Sequence, residues 1–164
     1  MNNTTIILYH GSNQPVYRPR VDQNRFTTDF GKGFYLTTSR SQAEKWAQRK
    51  AKYLGRPILN KYVFNIDQKD LKILTYQADI SWVKFIIQNR THSFKINADI
   101  VIGPTADGKL FSVISYWKHG NLDLGEALLQ LKPKIYAKQY CFKTIKALQA
   151  LKFLEKENLN DSRN

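Results

Sequence analysis

Two short segments in the first fifty residues carry side chains that could bind a flat, polar ligand. The segment LYHGS ends an apolar stretch with His10, whose imidazole can bond a hydroxyl, and Gly11, whose backbone a ligand can approach closely. The segment FGKGFYLT places a lysine between two glycines and then Tyr35, and Trp46 follows eleven residues later. Two such rings could enclose a planar group by stacking. Each segment alone is also typical of ordinary packing where a strand meets a helix.

Short strands and helices in mixed order must position these residues. The hydrophobic periodicity predicts strands over 5–10, 33–37, 58–67, 71–74, 98–104 and 135–142. It predicts helices over 79–90, 110–117 and 122–131, a helix that starts at Ser39 or Ser41 and continues to Leu54, and a last basic helix with Ile145, Leu148, Leu151 and Leu154 on one face. We therefore expect an α+β fold, with one domain over residues 1–154 and a polar tail over 155–164.

The composition limits where the protein acts and what it binds. A chain of 164 residues is long enough for one well-packed domain. It has no run of about 18 apolar residues that a membrane-spanning helix needs, no basic N-terminal leader and one cysteine, so the cytosol is the expected compartment. The formal net charge of +13 exceeds what solubility requires and favours a polyanionic partner.

The two segments together resemble a known family. LYHGS followed by FGKGFYLT resembles the first two signature segments of the diphtheria-toxin-type ADP-ribosyltransferases, which include the poly(ADP-ribose) polymerases. The resemblance is strong over the first fifty residues and loose over the last thirty, and it is closest to a small bacterial, toxin-type branch. It implies a split β-sheet core with flanking helices and NAD as the co-substrate.

The resemblance also implies a role for each matching residue. His10 would bond the adenosine ribose of NAD, the Gly11 backbone would hold the nicotinamide amide, and Ser12 would lie nearby. Tyr35 would stack on the nicotinamide ring, and Trp46 would close its other face.

The family's third segment carries a glutamate, which this chain lacks. The best counterpart, KQYCF, places Gln139 there, and an amide can bond a ribose hydroxyl but cannot act as a general base. Another carboxylate could take the role, with Asp107, Asp29 and Glu126 as candidates. Alternatively, one ADP-ribose is transferred without a glutamate, or the domain only binds NAD.

The remaining site predictions concern charge. We expect Arg25 and Lys32 to contact the pyrophosphate of NAD, and the expected NAD-binding set also contains Asp29, Gly31 and Gly33. Further basic residues adjoin these segments, which suits an RNA or DNA substrate and equally an acidic antitoxin. Neither His92 nor His119 has a partner at a spacing typical of metal sites, so no metal is expected.

These observations predict an NAD-dependent mono-ADP-ribosyltransferase, a bacterial toxin or defence effector that modifies RNA, DNA or a protein. The alternatives are a basic nucleic-acid-binding module without catalysis and an NAD glycohydrolase.

Overall fold

The computed structural model describes residues 4–21, 28–92, 95–106 and 108–163. Within these ranges the chain forms seven strands and five helices in a mixed α+β arrangement. The strands are β1 (Thr5–Ser12), β2 (Phe34–Thr37), β3 (Ile58–Asn65), β4 (Ile73–Thr75), β5 (Ile100–Thr105), β6 (Lys134–Phe142) and β7 (Leu151–Asn158). The helices are α1 (Arg40–Lys50), α2 (Ile80–Thr91), α3 (Leu110–Lys118), α4 (Leu124–Leu131) and α5 (Ile145–Gln149). No helix in these ranges has the length and apolar character needed to cross a bilayer.

All seven strands form one sheet in the order β4-β5-β6-β2-β1-β3-β7. The β4–β5 pair is parallel and the other pairs are antiparallel. Strands β1 and β2 share one register pair, Tyr9 opposite Thr37, whereas β1 and β3 are paired along their whole length. The sheet therefore has a weakly paired seam between β1 and β2, which divides it into the halves β4-β5-β6-β2 and β1-β3-β7.

The two faces of the sheet bury separate hydrophobic clusters. Val101 and Cys141 belong to the cluster around helices α2, α3 and α4, which Trp82 fills as its largest side chain. Ile100 and Phe142, their neighbours in sequence, belong to the second cluster, which helix α5 joins through Ala147. This division follows from the alternation of side chains along a strand.

Helix α1 lies directly against strand β1. Ser39 caps it by accepting a hydrogen bond from the Gln42 amide, as Ser, Thr, Asp and Asn commonly do at this position. The predicted extension to Leu54 is wrong, because the helix ends at Lys50 and Leu54 is 73% exposed. A Cβ on Gly11 would lie 1.9 Å from the carbonyl oxygen of Ala43, so the glycine allows the helix to approach the strand.

The predicted last helix is wrong beyond its first turn. Helix α5 spans five residues, and the chain then forms strand β7, which pairs with β3 and continues to Asn158, inside the segment expected to be a tail. Phe153 packs edge-on against Tyr62, and the Lys61 ammonium lies 2.8 Å from the Glu155 carboxylate. The spacing of the leucines fits a helix, but the free edge of β3 and these cross-strand contacts favour a strand.

We expect the substitution Gly11→Ala to destabilise the fold by about 1–3 kcal/mol, because the new methyl group would overlap the backbone of Ala43. Urea denaturation followed by circular dichroism measures the change. The control is Gly125→Ala in α4, where the nearest atom to the new Cβ is a side-chain oxygen 3.3 Å away. Equal stabilities for the two variants would contradict the close packing of α1 on β1.

Candidate functional site

A cavity of about 600 Å³ lies beside the seam, and its wall contains residues of β1, β2, α1, α2 and β6. Its volume falls within the range of roughly 300–1,000 Å³ found for small-molecule sites. Seven of the residues expected at the site line it, namely His10, Ser12, Asp29, Gly33, Tyr35, Trp46 and Gln139. Segments that are more than a hundred residues apart in sequence therefore meet at one cavity.

Other expected residues lie elsewhere or outside the described ranges. Gly11, Gly31, Lys32 and Glu126 do not line the cavity, and Arg25 and Asp107 lie outside the described residues. The φ of +78° at Gly31 favours glycine for conformational reasons. A Cβ on Gly33 would meet the Cys141 sulfur at 2.4 Å. Gly31 therefore serves a turn, and Gly33 serves strand packing in addition to lining the cavity.

His10 joins the two sides of the seam with its side chain. Its Nδ1 lies 2.6 Å from the carbonyl oxygen of Tyr35, which can only accept, so Nδ1 carries the proton. Burial, and secondarily the charge of Lys50, lower the pKa of His10 from 6.5 to about 3. The imidazole is therefore neutral at pH 7, and its Nε2 is an acceptor available to a ligand hydroxyl.

The Tyr35 hydroxyl holds the turn that precedes β2. It donates to the carbonyl oxygen of Gly31 at 2.5 Å, and the amide of Phe30 donates to it at 3.0 Å. Burial raises the pKa of Tyr35 well above its usual value. The side chain is fixed by these bonds and stays protonated, so it offers a ring surface and no base.

Asp29, Arg90 and Gln139 form a hydrogen-bonded chain on the cavity wall. Arg90 binds one carboxylate oxygen of Asp29 through Nε at 2.9 Å and Nη2 at 2.5 Å. The other oxygen accepts from Gln139 Nε2 at 3.1 Å, and Nε2 also donates to the carbonyl oxygen of Pro104 at 3.2 Å. Because both partners of Nε2 are acceptors, the amide orientation is set and Oε1 is the atom left for a ligand donor.

Asn60 and Tyr62 on β3 fix the loop that forms another part of the wall. The Asn60 side chain accepts from the amide of Val16 at 2.8 Å and donates to the carbonyl oxygen of His10 at 3.2 Å. The Tyr62 hydroxyl donates to the carbonyl oxygen of Val16 at 2.5 Å. Sequence reasoning missed both residues, since their role depends on strand pairing across fifty residues.

Helix α1 contributes side chains that sequence reasoning also missed. Gln42, Arg49 and Lys50 line the cavity together with Trp46. Gln42, Trp46, Arg49 and Lys50 follow one another at intervals of four, three and one residues, which places them on one face of the helix. Since Trp46 was expected at the site, its position could have indicated that the rest of this face lies there too. The wall also includes Arg20, Thr105 and Ala106. In the described ranges no group of three His, Cys, Asp or Glu side chains is placed to hold a metal ion.

The comparisons with known proteins give one result. The family described as "Protein of unknown function (DUF3990)" matches residues 6–153, which is most of the chain, and the protein therefore belongs to this family. No curated protein and no solved structure matches the chain.

We expect Arg90→Met to destabilise the protein by about 2 kcal/mol, because it leaves the Asp29 carboxylate, whose side chain is 11% exposed, without its cation. The control is Arg40→Met, which removes two ion pairs, with Glu44 and Glu157, whose side chains are about 40% exposed; it should cost about 1 kcal/mol or less. Adding Asp29→Asn to Arg90→Met should recover part of the loss. Equal losses in the two single variants, measured in urea, would contradict a structural role for the pair.

We expect His10 to make the protein less stable in acid. Its pKa is lower in the folded chain, about 3, than the ordinary 6.5, so its contribution is complete above pH 6.5 and is lost as the pH falls toward 3. The loss should approach about 1.4 kcal/mol per pH unit between these values. Unfolding free energies of the native protein and His10→Gln at pH 7, 6 and 5 test this. Parallel pH profiles for the two proteins would contradict it.

Proposed function

We propose that this member of the DUF3990 family is an NAD-dependent mono-ADP-ribosyltransferase. The observation that supports it best is that three residues line one cavity: His10 and Tyr35, which match the first two ADP-ribosyltransferase signature segments, and Gln139, which stands where the third segment carries a glutamate. The carboxylate of Asp29 lies in the same wall, bonded to Gln139. The proposal rests on this grouping together with the resemblance of the first two segments.

The cavity offers the contacts that such a reaction needs for binding. The neutral His10 accepts a hydrogen bond from a ribose hydroxyl at Nε2, because Nδ1 already donates to the carbonyl oxygen of Tyr35. The fixed ring of Tyr35 supports the nicotinamide by stacking, and Trp46 lies on the α1 side of the same cavity. Holding the ribose and the nicotinamide ring of NAD in one geometry lowers the entropic part of the activation barrier for cleavage of the bond between them.

Asp29 supplies the negative charge that the missing glutamate would otherwise provide. Cleavage of the bond between nicotinamide and ribose builds positive charge on the ribose carbon, which a nearby carboxylate stabilises. Gln139 accepts a hydrogen bond from a ribose hydroxyl at Oε1, and its Nε2 donates to Asp29 and so keeps the carboxylate beside the ribose. Arg90 holds the carboxylate in place and also reduces its net field. Since an amide cannot deprotonate an acceptor hydroxyl, transfer of a single ADP-ribose is favoured over chain elongation.

The seam in the sheet supports an ADP-ribosyltransferase-like split core. The halves β4-β5-β6-β2 and β1-β3-β7 meet at the end of β1, where His10 lies, and the cavity opens at this division. A ligand between the halves can therefore contact His10 on one side and Gln139 on the other.

The acceptor is a macromolecule, and the charge favours RNA or DNA over protein. The net charge of +13 favours phosphate contacts. Tyr17, Tyr53 and Trp117 are 58%, 85% and 38% exposed and can stack on unpaired bases. A toxin or defence effector with this activity requires restraint, and an acidic antitoxin fits the same basic surface.

We expect the purified protein, incubated with NAD and total cellular RNA, to release nicotinamide and to add one ADP-ribose per modified site. Mass spectrometry of the RNA and of the small molecules measures both products. His10→Ala and Tyr35→Ala should abolish release, and Asp29→Asn should lower its rate by about 100-fold, the size of one lost electrostatic contact in a transition state. Gln139→Ala tests the hydroxyl contact separately.

Asp70→Asn is the matched control for Asp29→Asn, since Asp70 is exposed and lies outside the cavity. Melting curves establish that each variant is folded. Nicotinamide release without modified RNA, DNA or protein would identify an NAD glycohydrolase instead. Binding of nucleic acid without any NAD turnover would identify a non-catalytic module and refute the proposal.

A further inference from the structure

The face of helix α1 that forms part of the cavity wall ends in two adjacent cations. Gln42 and Trp46 occupy its first turns, and Arg49 and Lys50 its last. Arg49 and Lys50 are both among the basic residues that adjoin the two segments singled out in the sequence. The structure places them on the wall that also contains His10.

The acidic side chains near this helix are already bound to other cations. Glu44 lies 2.8 Å from Arg40, Glu157 contacts Arg40 and Lys61, and Asp29 is held by Arg90. Among the described residues, no carboxylate forms an ion pair with Arg49 or Lys50. Two neighbouring cations on a cavity wall, neither of them paired with a carboxylate, favour the binding of an anion.

Lys50 is held toward the cavity by a single hydrogen bond. Its ammonium donates to the carbonyl oxygen of Gly11 at 2.9 Å, and the surrounding protein atoms lower its pKa to about 8, although the residue as a whole is exposed. The ammonium is near enough to His10 to contribute to the lowered pKa of the imidazole. It therefore carries a charge at pH 7 next to the group expected to bind a ribose.

We infer that Arg49 and Lys50 bind the diphosphate of a dinucleotide in this cavity, an inference that rests on the proposed function for the identity of the ligand. A guanidinium binds two phosphate oxygens at once, and a lysine ammonium adds a point charge, so that the pair suits two linked phosphates better than a carboxylate. Lys50 lies beside His10, so its ammonium is close to any phosphate attached to a ribose that His10 binds. Of the residues expected to bind pyrophosphate, Lys32 is outside the cavity wall.

Binding of ADP and of adenosine, measured by isothermal titration calorimetry, tests the inference without any reaction. The native protein should bind ADP at least about tenfold more tightly than adenosine, and inorganic pyrophosphate should compete with ADP. Arg49→Gln and Lys50→Gln should each weaken ADP binding about tenfold and leave adenosine binding unchanged, since one charge-assisted hydrogen bond contributes about this much. Lys50→Arg should retain most of the ADP affinity.

Lys45→Gln is the matched control, because Lys45 is exposed on the same helix and does not line the cavity. The inference is overturned if ADP binds no more tightly than adenosine, if the Arg49 and Lys50 variants bind ADP as the native protein does, or if Lys45→Gln weakens binding equally. ADP binding that behaves as expected, combined with no nicotinamide release from NAD, would refute the proposed function and leave this inference standing. Nicotinamide release from NAD, combined with ADP binding that neither Arg49→Gln nor Lys50→Gln weakens, would support the proposed function and refute this inference.

Discussion

Strands β1 and β2 meet through one backbone pair, and the imidazole of His10 takes over where that pairing stops. The bond from Nδ1 to the Tyr35 carbonyl connects the two halves of the sheet beside the cavity. The same bond fixes the tautomer, since a carbonyl oxygen can only accept a hydrogen bond and Nδ1 must therefore carry the proton. The structural tie and the ligand acceptor are thus two nitrogens of one ring, and burial keeps that ring neutral.

The turn before β2 depends on bonds from several distant elements. Tyr35 binds it from within the same segment, Arg90 binds it from α2, and Gln139 binds it from β6. The Lys143 ammonium donates to the carbonyl oxygens of Phe30 and Lys32 at 2.5 and 2.7 Å. Because the carbonyls of Phe30, Gly31 and Lys32 and the Asp29 carboxylate have partners, much of the cost of burying this polar turn is compensated.

Much of the site followed from short-range patterns, and the misses have physical causes. His10 and Tyr35 lie on short apolar strands, which periodicity identifies, and Gln139 was located by the resemblance of its segment to the third signature segment. Arg90 pairs with Asp29 across 61 residues, and nothing in the local pattern of α2 signals that partner. Strand β7 was missed for a similar reason, since the free edge of β3 outweighs a helical spacing of leucines. The family match over residues 6–153 adds no function.

The seam has a mechanical consequence. The hydrogen-bonded ties across it are one backbone register pair and the His10 bond, whereas every other neighbouring pair in the sheet shares at least three register positions. The buried cluster that contains Leu8, Phe34 and Tyr62 also spans the seam. Backbone pairing therefore resists separation less at β1–β2 than at any other neighbouring pair of this sheet, and packing of the shared cluster holds the halves together there. A ligand that contacts both halves adds a further connection between them, so its binding free energy is coupled to the stiffness of the whole sheet.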